Sequence, residues 1–108
     1  MSKEEIQGKD INERREEALR PNPYLGYDRD KLGFHLLSRG AYKIAETQFR
    51  RAAWLNPYEP AFKEHLAICL YKLGRYSEAY DYLKEVPESP KNRNLMEQIK
   101  KIIETNSG

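Results

Sequence analysis

The tripeptide Asn-Pro-Tyr stands at positions 22–24 and again at 56–58, an interval of 34 residues in a chain of 108. Sliding the sequence against itself by that interval also aligns Leu32 with Leu66, Leu36 with Leu70, Gly40 with Gly74, Tyr42 with Tyr76 and Ala45 with Ala79. Ala18 falls on Ala52, and size class persists where identity does not: Gly33 meets Ala67, Phe49 meets Leu83, and Ala52 meets Val86. Such a period constrains the fold more than any single motif. Units that recur every 20 to 50 residues or so cannot bury an apolar face alone and must stack on their neighbours.

Each unit divides into two helices at its own punctuation. In the first, Leu32, Phe34, Leu36 and Leu37 precede Gly40, and Ala45, Phe49, Ala52 and Ala53 follow it at helical spacing. Gly40 and Gly74 suit the position just past a helix end, where left-handed backbone is least costly for glycine. In the second unit, Pro60 fits the first turn of a helix ending near Lys72, and a further helix runs from about Ser77 to Val86, where Pro87 stops it. Loops this short make neighbouring helices antiparallel. Asn-Pro-Tyr then reads as a junction that closes one pair and starts the next. The proline biases the preceding asparagine away from helical angles, and the tyrosine is expected to pack across the joint.

These residues resemble the tetratricopeptide repeat, whose unit has about the same length and a fixed pattern of Trp, Leu-Gly, Tyr, Ala, Phe and Pro. The first full unit has Leu32, Gly33, Ala45, Phe49 and Pro57 in register, and the second has Leu66, Ala67, Ala79 and Leu83. Arg29 and Lys63 replace the opening tryptophan, Leu36 and Leu70 replace the tyrosine, and the closing proline of the second unit is displaced to Pro87 and Pro90. Small residues still occupy the positions where helices cross closely. The resemblance implies an all-α fold, an α-solenoid of antiparallel helix pairs in right-handed superhelical stacking with a C-terminal capping helix.

The expected organisation is a disordered segment over 1–9 and a single domain over 10–108: a partial repeat helix (10–23), two repeats (26–59 and 60–90) and a capping helix (91–105). Two full repeats are fewer than such arrays normally contain, so both ends need covering. Ser89 can cap a last helix with Pro90 at its first position, and Leu95, Met96, Ile99, Ile102 and Ile103 form a stripe along it. Near the start, Asp10 and Glu13 resemble a capping box, and Ile11, Ala18 and Leu19 supply the apolar surface that follows.

Composition narrows the function. Nineteen basic residues against 17 acidic ones leave a net charge of +2, too balanced to argue for nucleic acid or a membrane surface. No apolar run approaches the roughly 20 residues of a spanning helix, and the opening residues lack the apolar stretch of a signal peptide. The single cysteine, Cys69, cannot form an internal disulfide. A cytoplasmic location is the expectation.

In stacked helix pairs the first helix of each pair lines a concave face. The resemblance implies that Tyr27, Asp30, Phe34, Leu37 and Ser38 point inward from the first repeat, and Ala61, Glu64, Ile68, Tyr71 and Lys72 from the second. An apolar, aromatic floor with acidic residues along it suits an extended peptide or an amphipathic helix, with basic flanks meeting Asp30 and Glu64. The implied function is a non-catalytic protein–protein interaction module, an adaptor, scaffold or dedicated chaperone whose partner is another protein. A carboxylate clamp of the kind some family members build from Lys and Asn is not matched, since Asp30, Phe34 and His65 stand at those positions. Three alternatives stay open: a terminal helix fills the groove; the repeats self-associate into a homo-oligomer; or "QFRR" (48–51) with nearby Tyr and Trp binds RNA, although a basic stripe is missing.

Arg50, Arg51 and Trp54 mark a second surface, either for contact with a partner or for packing against the N-terminal helix. His65 and Cys69 share one helix face and His35 lies one repeat earlier than Cys69, yet a metal would need further ligands. Core packing is expected for Cys69 and a surface position for His65. No phosphate-binding loop, zinc helix signature or nucleophile with its base is present, so no enzyme activity, cofactor or metal is expected.

Overall fold

The computed structural model describes residues 22–107. The expectations for 1–9 and for all but the end of 10–23, including Asp10, Glu13 and Ala18, lie outside the described residues. Within them the chain forms α1 (Tyr27–Ser38), α2 (Tyr42–Leu55), α3 (Pro60–Lys72), α4 (Tyr76–Lys84) and α5 (Pro90–Ser107). The all-helical expectation holds throughout the described residues, which contain no strand.

The two glycines end α1 and α3 in the same way. Gly40 and Gly74 adopt φ of 80° and 78°. Just beyond them, the amides of Ala41 and Arg75 donate to the carbonyls of Leu36 and Leu70, each at 2.9 Å. These are the six-residue closing bonds of a Schellman turn, and they reverse the chain so that α2 and α4 fold back on α1 and α3.

Asn-Pro-Tyr is a side-chain-closed turn. Asn22 Oδ1 accepts the Tyr24 amide at 2.8 Å, and Asn56 Oδ1 accepts the Tyr58 amide at 3.1 Å. The intervening proline has no N–H to satisfy, and it holds Asn56 extended at φ −141°, which ends α2. The Asn22 amide also donates to the Leu55 carbonyl at 3.1 Å, so the first copy of the turn lies beside the end of α2. One expectation is corrected here. Tyr24 and Tyr58 do not pack across the joint, because both rings are exposed; the turn uses the tyrosine's amide and leaves its ring in solvent.

Each helix packs on the next in sequence, and α1 also touches α3. One cluster runs through the stack, built from Ala45, Phe49, Leu66, Ala67, Cys69, Leu70, Ala79, Leu83 and Ile99. Small residues set the separations: a Cβ built on Gly33 would lie 2.6 Å from the Phe49 ring, so α1 approaches α2 more closely than alanine allows. The helix α4 stops at Lys84, short of the expected Val86, because the residue before Pro87 is barred from helical angles. Ser89 Oγ then accepts the Asn92 amide at 3.2 Å and caps α5. Ile99 is fully buried, with Leu95, Met96 and Ile103 packed on the same cluster. Thus α5 lies on α4 as α3 lies on α2, in the place of the first helix of a further repeat.

Candidate functional site

The residues expected to point inward fall on α1 and α3, and two polar contacts join the rows. The Tyr27 hydroxyl donates to Glu59 Oε1 at 3.0 Å, while the other carboxylate oxygen of Glu59 accepts the Ala61 amide at 3.3 Å and caps α3. Hydrogen bonding to Glu59 holds the Tyr27 phenol above its ordinary pKa. Its ring meets Phe62 edge-on, centroids 5.0 Å apart. One turn along, Asp30 Oδ1 lies 2.7 Å from His65 Nδ1, and both side chains are largely buried.

Phe34 sits beyond this pair, edge-on to His65 at 4.3 Å and to Phe49 at 5.4 Å, yet remains 41% exposed. Leu37 and Tyr71 are half-buried against the core cluster, and Tyr71 meets Tyr76 edge-on at 5.6 Å. Ala61, Glu64 and Ile68 are half-buried, whereas Ser38 and Lys72 are exposed. Sequence reasoning missed Glu59, which ties Tyr27 to the cap of α3, and misplaced His65. The histidine is partly buried between α1 and α3 and not on the outer surface, because it follows Asp30 by one repeat plus one residue and the packing of α3 against α1 brings the two together. Asp30 therefore meets His65 and not a free basic flank. Of the expected polar groups, Glu64 and Lys72 keep no ion pair among the described residues.

On the other side of the stack, Thr47, Arg50, Arg51 and Trp54 line a shallow depression of about 460 Å³, with the Trp54 ring exposed. Arg50 is engaged in joining the repeats. It donates to Glu46 Oε2 at 2.8 Å, to the Tyr82 hydroxyl at 2.9 Å and to Glu78 Oε2 at 3.2 Å. Arg75 donates through one nitrogen to both oxygens of Glu46, at 2.8 and 2.9 Å, and through the other to Glu78 at 2.7 Å. The Glu46 carboxylate, in a residue only 8% exposed, would be costly there without these two guanidinium groups. The Arg75 hydrogen bond holds the Glu78 carboxyl below its usual range.

Cys69 lies in the core as expected, its thiol donating to the Tyr42 carbonyl at 3.1 Å, and burial pushes its pKa up to about 11. Among the described residues no group of three or more His, Cys, Asp or Glu is arranged to hold a metal ion, and no helix is long and apolar enough to cross a membrane.

The chain matches the family model of the tetratricopeptide repeat over residues 36–100. No curated protein and no solved structure matches it. Domains of that family are generally non-enzymatic modules of protein–protein interaction. The matched span covers well over half the chain and includes most of the stacked helices from α2 to α5, so the chain belongs to the tetratricopeptide repeat family.

Proposed function

We propose that the protein holds a peptide segment or an amphipathic helix of another protein against the face shared by α1 and α3, acting as an adaptor, a scaffold or a dedicated chaperone. The observation that carries this reading is Phe34. Its ring is 41% exposed, yet it is braced edge-on by Phe49 and His65, so it offers apolar area without having to be ordered on binding. Tyr27 and Asp30 beside it already have their bonds within the fold, which leaves an apolar anchor on a floor that needs no charge from the ligand. Aromatic anchors of this kind carry most of the affinity in protein interfaces. Glu64 and Lys72 border the floor and serve orientation more than affinity. The reading extends to the cytoplasm, a reducing compartment that suits a lone buried cysteine.

Copurification from the native cell, read by mass spectrometry, tests it. A partner recovered with the wild-type chain should be lost with Phe34→Ala and with Tyr71→Ala while helicity by circular dichroism stays the same, and should be retained with Ile44→Ala elsewhere on the surface. Retention in both groove variants, or loss of fold in step with loss of binding, rejects the groove.

A further inference from the structure

A crevice beside each helix-reversing turn recurs with the repeat, but its chemistry does not. In the second unit it is lined by Arg75, Tyr76, Glu78 and Ile103, and its carboxylate is already satisfied, since Glu78 accepts from both Arg75 and Arg50. In the first unit Ala41, Tyr42, Ile44 and Leu73 make a largely apolar crevice of about 330 Å³. Ile44 stands there in the place of Glu78 and is 58% exposed. The rim is basic. Arg39 and Lys72 are exposed and form no ion pair among the described residues, and Lys43 only approaches Glu46, at 3.9 Å. No aspartate or glutamate occurs from 31 to 45 or from 65 to 77, so the first turn and the end of α3 supply no carboxylate of their own. An occupant complementary to this crevice brings an apolar side chain with carboxylates next to it.

We infer that the occupant is the start of the same chain, with Ile6 in the crevice and Glu4 and Glu5 against Lys43 and Lys72. Residues 4–6 read Glu-Glu-Ile, two carboxylates followed by an apolar side chain, the complement of this rim and floor. The length of chain ahead of the described residues brings them to the right edge. The Asn22 amide is bonded to the Leu55 carbonyl, at the opposite end of the helices from the turns. The repeat sets residues 8–21 in register with Tyr42–Leu55, the whole of α2. A helix of the same 14 residues as α2 rises about 21 Å. Lying over α1 as α2 lies over α3, it returns the chain to the turn edge and leaves residues 1–7 there. Asp10 falls beside Arg39 in this register, where Ile44 and Leu73 line the crevice one repeat on, so Lys43 and Lys72 are the cations left to be met. Neighbouring helices lie about 8–10 Å apart, and four extended residues reach about 10 Å, enough to cross from the first turn to the end of α3. The crevice opens at the turn edge and not on the α1–α3 face, so this contact is separate from the groove proposed above. It ties the start of the chain to both repeats.

Paramagnetic relaxation enhancement on the full chain tests this. A nitroxide is attached through Ser2→Cys, and Cys69, buried in the core, stays unlabelled. The expected result is broadening of the Ile44 and Leu73 methyl signals and of the Lys72 to Gly74 amides, weakening with added salt. A mixture of isotope-labelled chain without nitroxide and unlabelled chain carrying it should show none, because the contact is made within one chain. Glu4→Lys with Glu5→Lys should lower the ratio of docked to free segment about tenfold, and so should Lys43→Glu with Lys72→Glu. All four substitutions together should restore it to within about threefold of wild type, a rescue that a general loss of stability could not produce. Ile6→Asp should abolish the broadening with helicity by circular dichroism unchanged. No broadening in the wild type, which leaves the crevice to solvent or to an outside acidic partner, overturns the inference. So does broadening of equal strength in the mixed sample, which assigns the crevice to a second copy, or broadening indifferent to the charge reversals.

Discussion

Replacing Gly33 by alanine sets two effects of opposite sign against each other. Gly33 lies inside α1, where alanine is the better helix former by about 1 kcal/mol, so propensity alone predicts a more stable protein. Packing predicts the reverse. The added methyl would stand 2.6, 2.8 and 2.9 Å from three atoms of the Phe49 ring, far inside van der Waals separation. Phe49 has no exposed surface, and its ring is held by Phe34 at 5.4 Å and His65 at 6.1 Å, so it cannot swing aside without moving α1, α2 or α3. Overpacking of this sort costs about 1–3 kcal/mol, and so short a contact belongs in the upper half of that range. The net is a loss of about 1–2 kcal/mol, and a domain of this size loses about 4–8 °C in Tm for each kcal/mol. Urea and thermal unfolding followed by circular dichroism should show a lower midpoint at unchanged denaturant slope. In a Phe49→Leu background the same substitution should cost less or stabilise, since the clash is gone and the propensity gain remains. A higher Tm for Gly33→Ala in the wild-type background would refute the close approach of α1 to α2.

The remaining glycines rank by what surrounds them. Gly40→Ala should cost about 1–2 kcal/mol in a urea titration, from left-handed backbone alone, because nothing lies within 4 Å of its would-be Cβ. Gly26→Ala should cost more than Gly40→Ala, since its φ of 94° is accompanied by the Ala52 carbonyl oxygen at 2.9 Å; equal costs would mean that this junction is looser than described. Cys69 gives a pH dependence of definite sign. With the thiol held at about 11 in the fold against an ordinary value of 9.0, its contribution is intact below about pH 9 and is lost as pH rises toward 11. Tm should therefore fall more steeply over that window in the wild type than in Cys69→Ala, and parallel curves would mean that the thiol is not buried.

The helices were legible because their stop signals are local. Gly40, Gly74, Pro57 and Pro87 act on the backbone next to them, and the stripe from Leu95 to Ile103 needs only helical spacing to be read. Capping of α5 by Ser89 followed from two consecutive residues, Ser89 and Pro90, for the same reason. What escaped the sequence depends on the neighbouring repeat. Asp30 and His65 each look like surface residues alone and become a largely buried pair only when α3 stacks on α1 in one register. Glu46 reads as one more solvated carboxylate on α2. Its burial follows from Arg75, 29 residues later, which closes over it from the start of α4. The exposed rings of Tyr24 and Tyr58 were misread for the opposite reason: the identity of the tripeptide suggested shared packing, whereas the shared interaction is the asparagine's bond to a backbone amide. Leu32 and Leu66, identical by repeat, differ in exposure because only one of them has a described helix over it.

The central claim is that residues one period apart do equivalent structural work, so that α3 stacks on the first pair, α5 takes the next place in line, and the α1–α3 face is formed between repeats. Nuclear Overhauser contacts in the isotope-labelled chain test this most directly. The account predicts cross-peaks between the rings of His65 and Phe34, between the Gly33 α-protons and the Phe49 ring, and between Ile99 and the side chains of α4. Cross-peaks from Ile99 to Phe34 and Leu37, or helical signals with no contact between His65 and Phe34, would contradict it.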